Sequence, residues 1–182
     1  GTRDERPRGS PSQSASVGAI IRRRARTGGS DRHRGMSGML VFDPETLAVV
    51  QIAKGRTNLA AVDEIVATAK RAIDESQKTR GIVQWLTVID DAAEPPNAVD
   101  RRRIMEAINE IPRIHSATVV TSAFHRAVLT ALSWLRRPAP GQRFETFAAV
   151  PDAIRWLEGL GARPAAWKRL LGDARAKSSA AD

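Results

Sequence analysis

Residues 81–90, GIVQWLTVID, form the most apolar segment of the sequence and decide which fold it can adopt. Six of the ten side chains are large and apolar, which is typical of a central strand covered by helices on both faces. The segment runs directly into an acidic, proline-containing loop, DAAEPPN, at residues 91–97. Because partners and ligands of α/β proteins usually bind where strands end, this loop is either a binding site or a solvated turn.

Strand and helix patterns alternate on both sides of this segment. Residues 39–43 and 47–53 are short apolar runs separated by a turn that contains Asp43 and Pro44, so they predict a hairpin. Residues 57–79 repeat apolar side chains every three or four positions, the period of a helix. The rest of the chain continues the alternation, with a further helix predicted at residues 124–137. The sequence therefore predicts an α/β protein with a mixed, mostly parallel sheet, in the order β-β-α-β-α-β-α-β-α, followed by an amphipathic C-terminal helix.

Three regions differ in composition. Residues 1–38 are rich in Arg, Gly, Ser and Pro and nearly lack large apolar side chains, so we expect a disordered basic arm. Residues 39–161 carry the predicted strands and helices and form the domain. Residues 162–182 form a basic amphipathic tail. We expect Met36 or Met39 to be the natural start, so that the arm is not part of the native protein.

The net charge of +9 lies in the two ends of the chain. The first 38 residues carry nine Arg against three acids, and residues 162–182 carry five bases against two acids. The region between them holds fifteen bases and fifteen acids and is neutral. A neutral domain has no field that steers phosphates toward it. Binding to nucleic acid or to a membrane surface would therefore be confined to the tails.

Composition also bears on the compartment. The chain has no cysteine, which excludes disulfides and thiolate chemistry and favours a reducing environment. No stretch approaches the roughly 20 consecutive apolar residues of a membrane span. We therefore expect a soluble, cytoplasmic protein without a transmembrane segment.

Three further segments carry a family resemblance: residues 40–58, LVFDPETLAVVQIAKGRTN; residues 114–132, IHSATVVTSAFHRAVLTAL; and residues 143–160, RFETFAAVPDAIRWLEGL. Together with the element order, they resemble the STAS superfamily (sulphate transporter and anti-sigma factor antagonist), and more closely its SpoIIAA-like, STAS/SEC14 branch. Members of that branch tend to end in an Ala-x-x-Trp-Leu helix, which Ala153, Trp156 and Leu157 match. The resemblance covers residues 39–161.

The resemblance implies a regulatory module without catalytic activity that binds a protein, such as a regulatory kinase or a sigma-related factor. In the classical antagonists a kinase phosphorylates a Ser or Thr at the start of the helix after the third strand. That position falls within residues 90–99, where this chain has neither, so the switch is absent, although Asp91 or Glu94 would supply permanent negative charge. Some relatives of the fold hold lipids or small ligands, which leaves a carrier or sensor of a small apolar ligand as the alternative.

Patterns that would indicate catalysis, a cofactor or a metal are weak. Adjacent carboxylates in an extended loop point apart, and acids near a helix start interact well with its dipole. Ser122 and His125 are close in sequence, but no G-x-S-x-G elbow and no neighbouring acid accompany them. The three histidines lack the spacing of metal ligands, and we expect His115 to be a half-buried imidazole or a surface residue. No glycine loop has the spacing of a phosphate-binding motif. We therefore predict no catalytic residue, no cofactor and no metal ligand.

The predicted partner-binding surface follows two strands and consists of Asp90, Asp91, Glu94, Asn97, Arg101, Arg102, Thr121, Ser122 and His125. Helix capping and solvation explain the same side chains without a function; Asn97, with Asp100 three residues on, is predicted to form a variant of the capping box. In particular, the run of three Arg at 101–103 is expected to form ion pairs with Asp100 and Glu106. The oligomeric state is left open, a homodimer included.

Overall fold

Five strands form one sheet in the order in which they occur along the chain. They are β1 (Met39–Asp43), β2 (Ala48–Ala53), β3 (Val83–Ile89), β4 (Ile114–Val120) and β5 (Gln142–Phe147). β1 pairs antiparallel with β2, and β2 to β5 pair in parallel. The predicted α/β class, with a leading hairpin and a mixed, mostly parallel sheet, is confirmed.

These elements come from a computed structural model that describes residues 39–123, 125, 126, 129, 138–161 and 164–181, with 164–166 and 179–181 described by their backbone alone. The described residues belong to one unit, which spans residues 33–182. The predictions for the arm at residues 1–38 and for most of the helix at residues 124–137 lie outside the described residues.

Four described helices cover the two faces of the sheet: α1 (Leu59–Thr79), α2 (Ala98–Asn109), α3 (Val150–Gly159) and α4 (Pro164–Ala181). Asn58 begins α1 by accepting a hydrogen bond from the Ala61 amide at 2.8 Å, as an N-cap residue does. α1 ends at Arg80, whose φ of 52° is left-handed. Because α1 and α2 connect parallel strands, both run against the strand direction and begin at the edge where the strands end.

The central position of β3 in the sheet explains why residues 81–90 are so apolar. Val83, Trp85 and neighbouring residues of β1, β2 and β4 pack with α1 and α2 on one face. Leu86 on the other face packs with Ala117 of β4 and with residues of α3 and α4. Both faces of β3 are therefore buried, and Trp85 is completely inaccessible.

The C-terminal helix α4 is part of this core. Its side chains Trp167, Leu170, Leu171 and Ala174 are buried in the same cluster as Val50 of β2. Polar contacts fix the helix as well: Arg169 forms an ion pair with the buried Asp43 at 2.5 Å, and Lys177 donates to the carbonyl oxygen of Leu40 at 3.3 Å. The boundary that we placed after residue 161 therefore separates elements that pack together, and these two bases are engaged within the fold.

His115 of β4 occupies a position that the sequence did not indicate. We expected a half-buried or surface imidazole, but the residue is only 7% exposed. Its ring meets Trp156 of α3 edge-on, with 6.4 Å between ring centroids. Burial lowers the pKa of His115 below its ordinary value of 6.5, and the charges of Arg143 and Arg113 lower it further. The imidazole is therefore neutral in the folded protein near pH 7.

This environment predicts an acid-dependent loss of stability. Since the folded state binds the His115 proton more weakly than the unfolded chain does, the free energy of unfolding should fall as the pH drops below about 6.5, and should stop falling below the folded-state pKa. His115→Gln should remove this part of the pH dependence, as measured by urea denaturation between pH 4.5 and 7.5. Arg143→Gln should move the His115 titration toward its ordinary value in NMR spectra. An unchanged pH profile in His115→Gln would contradict the assignment.

Candidate protein-interaction surface

The acidic loop after β3 is tied to the neighbouring connection between β2 and α1. The Asp90 amide donates to the carbonyl oxygen of Ala53 at 2.9 Å, and the Glu94 amide donates to that of Gly55 at 2.7 Å. The Asp90 carboxylate accepts a hydrogen bond from the Ala92 amide at 2.9 Å, which closes a local turn. The loop therefore has a defined backbone, while the side chains of Asp90 and Glu94 stay exposed.

The two predicted segments meet at the end of β4. The Thr121 hydroxyl donates a hydrogen bond to the Asp91 carboxylate. Arg126 also contacts this strand end. Its guanidinium donates hydrogen bonds to the carbonyl oxygens of Val120 at 2.8 Å and Thr121 at 2.6 Å. Asp91 and Thr121 thus belong to one surface.

Ser122 and Asn97 both act at helix starts. The Ser122 hydroxyl accepts from the His125 amide at a long 3.4 Å. Asn97 accepts from the Asp100 amide at 2.9 Å and donates to the Asp100 carboxylate at 2.7 Å. This reciprocal pair is the predicted capping-box variant at the start of α2. Capping accounts for Asn97 without any partner.

The three arginines at residues 101–103 lie in three different environments. Arg102 pairs with Glu106 at 2.8 Å, as predicted. Arg103 instead reaches Asp63 of α1 at 2.9 Å, a partner that the sequence did not reveal because it lies 40 residues away. The carboxylate of Asp100 is used by Asn97 rather than by an arginine, so that part of the prediction is wrong. The side chain of Arg101 is exposed.

Two apolar side chains that sequence reasoning missed lie beside the loop. Among the described residues, the large hydrophobic side chains that stand exposed are Leu59, at 60%, and Val99, at 70%. The helical period of residues 57–79 predicts that Leu59 lies on the apolar face of its helix. Leu59 precedes Asp63 by one turn and Val99 precedes Arg103 by one turn. Because that ion pair joins α1 to α2 and both helices begin at the same edge, Leu59 and Val99 occupy equivalent places in neighbouring first turns.

We call the resulting region the carboxyl-edge surface, and define it by Leu59, Asp90, Asp91, Glu94, Val99 and Thr121. It combines two exposed apolar groups with three carboxylates on a tethered loop. Isolated exposed apolar residues are common on proteins, but these two lie in the first turns of two helices that the ion pair between Arg103 and Asp63 joins. Their first turns are also the places where helices carry partial positive charge, which the nearby acids balance.

Neither a metal cluster nor a membrane-spanning helix occurs in the described part of the chain. No group of three or more His, Asp or Glu there has a geometry that could hold a metal ion. No described helix is both long and apolar enough to cross a bilayer. Comparison of the chain with protein-family models, with curated proteins and with solved structures gave no match.

Proposed function

We propose that this protein is a non-catalytic regulatory module that binds a protein partner through the carboxyl-edge surface. The exposure of Leu59 and Val99 beside the acidic loop carries the proposal. Fully burying a side chain of this kind contributes about 1.5–3 kcal/mol, so a partner that covers both gains affinity from them. The carboxylates of Asp90 and Glu94 would then select a partner with basic groups around an apolar centre.

The proposed module is of the STAS type, in its SpoIIAA-like form. The leading antiparallel hairpin and the helix after each of β2 and β3 support this assignment, because they belong to the element order that forms part of the resemblance. No hydroxyl side chain is present in residues 90–99, so partner binding would be constitutive rather than switched by phosphate at that loop. A regulatory kinase or a sigma-related factor is the partner class we propose, in the cytoplasm.

The packing of the core favours a protein partner over an apolar ligand held between sheet and helices. Trp85 of β3 is completely buried on one side of the sheet, and Trp167 of α4 is completely buried on the other side. These two side chains fill the space that such a ligand would need. Attachment to nucleic acid through α4 has less support, since two of its four described bases, Arg169 and Lys177, form contacts with Asp43 and Leu40 within the fold.

Glutamate substitutions test the proposed surface. Val99→Glu should weaken partner binding by roughly tenfold or more, because the carboxylate would have to be buried in the apolar centre. An acid in the first turn of α2 is compatible with the helix dipole, so the fold should be retained. The partner would be captured from native lysate with the full chain, identified by mass spectrometry, purified, and titrated against each variant by calorimetry.

The matched control is Ala67→Glu, which adds the same charge to an exposed position in the middle of α1. It should bind like the unmodified protein, whereas Leu59→Glu should behave like Val99→Glu. Equal affinity of the captured protein for Val99→Glu and for the unmodified chain would refute the proposed surface, even if the protein binds elsewhere.

A further inference from the structure

The sheet ends at β5, and the outer side of this strand pairs with no strand in the described part of the chain. β5 pairs with β4 on its inner side and is the last strand in the order. The opposite edge of the sheet differs, because Lys177 of α4 donates to the carbonyl oxygen of Leu40 in β1 at 3.3 Å. β5 is therefore the edge to which a further strand can be added by backbone hydrogen bonds.

The backbone pattern of β5 shows which residues present their groups outward. The Ile114 amide of β4 donates to the carbonyl oxygen of Gly141 at 3.2 Å. Because the backbone groups of successive residues point to opposite sides of a strand, odd-numbered residues of β5 face β4, and Gln142 and Thr146 face outward. The Thr146 amide accordingly donates to the carboxylate of its neighbour Glu145 at 3.3 Å rather than to β4. A carbonyl oxygen of another strand can replace that carboxylate.

Two side chains of β5 carry opposite charges. Arg143 and Glu145 are both exposed, and since they are two residues apart they project from the same face of the sheet. Neither of them forms an ion pair with another of the described side chains. Both charges therefore stand on the edge strand and have yet to be matched by a partner.

The order of these charges makes β5 complementary to a second copy of itself. When two identical strands pair antiparallel around a two-fold axis at Phe144, Arg143 of each copy lies opposite Glu145 of the other, and Gln142 lies opposite Thr146. Opposite charges directly across such a pair are within about 5.5 Å between Cβ atoms and stabilise it. An axis at residue 143 or at residue 145 would instead place like charges opposite each other. The charges thus select one register.

We propose that the protein forms a symmetric homodimer in which β5 pairs antiparallel with β5 of a second copy around a two-fold axis at Phe144. The pairing joins the two sheets into one continuous sheet. Two identical ion pairs between Arg143 and Glu145 fix the register, and the same surface serves both copies, as a closed two-fold contact requires. The dimer uses none of the residues that define the carboxyl-edge surface, so it is independent of partner binding there.

Sedimentation velocity of the full chain over a series of concentrations tests the dimer. The unmodified chain should dimerise as its concentration rises. Arg143→Glu and Glu145→Arg each convert both ion pairs into like-charge pairs, so each should weaken the dimer at least about tenfold. The double variant with both substitutions restores opposite charges across the interface and should dimerise like the unmodified chain.

Mixing the two single variants gives the most specific result. In a mixed dimer, both pairs between residues 143 and 145 join a Glu to an Arg, so the mixture should dimerise although each variant alone does not do so at the same concentration. Recovery in the mixture also shows that both variants are folded. Lys70→Glu makes the same charge change as Arg143→Glu on the exposed side of α1 and should dimerise normally. A monomeric unmodified chain, unchanged dimerisation in both single variants, or no recovery in the double variant and the mixture would overturn the proposal.

Discussion

Deletion of residues 162–182 is expected to unfold the protein. The deletion removes Trp167, Leu170, Leu171 and Ala174 from the core and exposes the faces of β1 and β2 that they cover. Each large apolar side chain contributes about 1.5–3 kcal/mol when fully buried, and a domain of this size is stable by only about 5–15 kcal/mol. The loss also leaves the Asp43 carboxylate, which is 7% exposed, without Arg169. Circular dichroism and a thermal melt of the truncated chain would show the outcome.

Single substitutions in the full-length chain measure how much individual side chains of α4 contribute to the free energy of unfolding. Leu170→Ala should lower the free energy of unfolding by about 2–5 kcal/mol because it leaves a cavity in the core. Lys168→Ala, on the exposed side of the same helix, should change it by less than about 0.5 kcal/mol. A truncated chain that still melts cooperatively near the temperature of the full-length protein would mean that α4 is dispensable.

Trp85→Ala is expected to cost about 3–5 kcal/mol, the range for removing a fully buried tryptophan. Trp85 lies in the central strand, is completely inaccessible, and donates from its indole nitrogen to the Gln51 side chain at 3.3 Å. Its replacement leaves both a void against α1 and an amide oxygen with one donor fewer. Urea denaturation with a fitted slope would separate this loss of stability from a change in the denatured state.

Two further variants serve as comparisons for Trp85→Ala. Trp85→Phe keeps most of the apolar contact and should cost clearly less than the alanine variant. Trp156→Ala removes the same kind of side chain from a half-buried position on α3 and should also cost less. If Trp156→Ala were the more damaging of the two alanine variants, the core would not be centred on β3 as described.

Local patterns predicted the parts of the structure that depend on neighbouring residues. The hairpin follows from two apolar runs around Asp43 and Pro44, and the Asn97–Asp100 cap follows from a spacing of three residues. The burial of β3 follows from the apolarity of its own sequence. In each case the interacting groups are close along the chain, so propensity and spacing carry the information.

Contacts between distant residues could not be predicted in the same way. Arg103 and Asp63 are 40 residues apart, Thr121 and Asp91 are 30 apart, and Arg169 and Asp43 are 126 apart. Helical periodicity identifies the apolar face of a helix but not how far the helix extends past the edge of the sheet. This is why the helical period includes Leu59, in the first turn of α1, in the apolar face of the helix although the residue is exposed.

The docking of α4 on β1 and β2 affects how the protein is made. β1 and β2 emerge from the ribosome before the other described elements, but the helix that covers one of their faces emerges after all of them. During synthesis at about 5–20 residues per second, the apolar side chains of that face stay uncovered for several seconds. A nascent-chain chaperone or a slow aggregation step would therefore act on this face, and substitutions that weaken α4 should lower the yield of folded protein more than its equilibrium stability suggests.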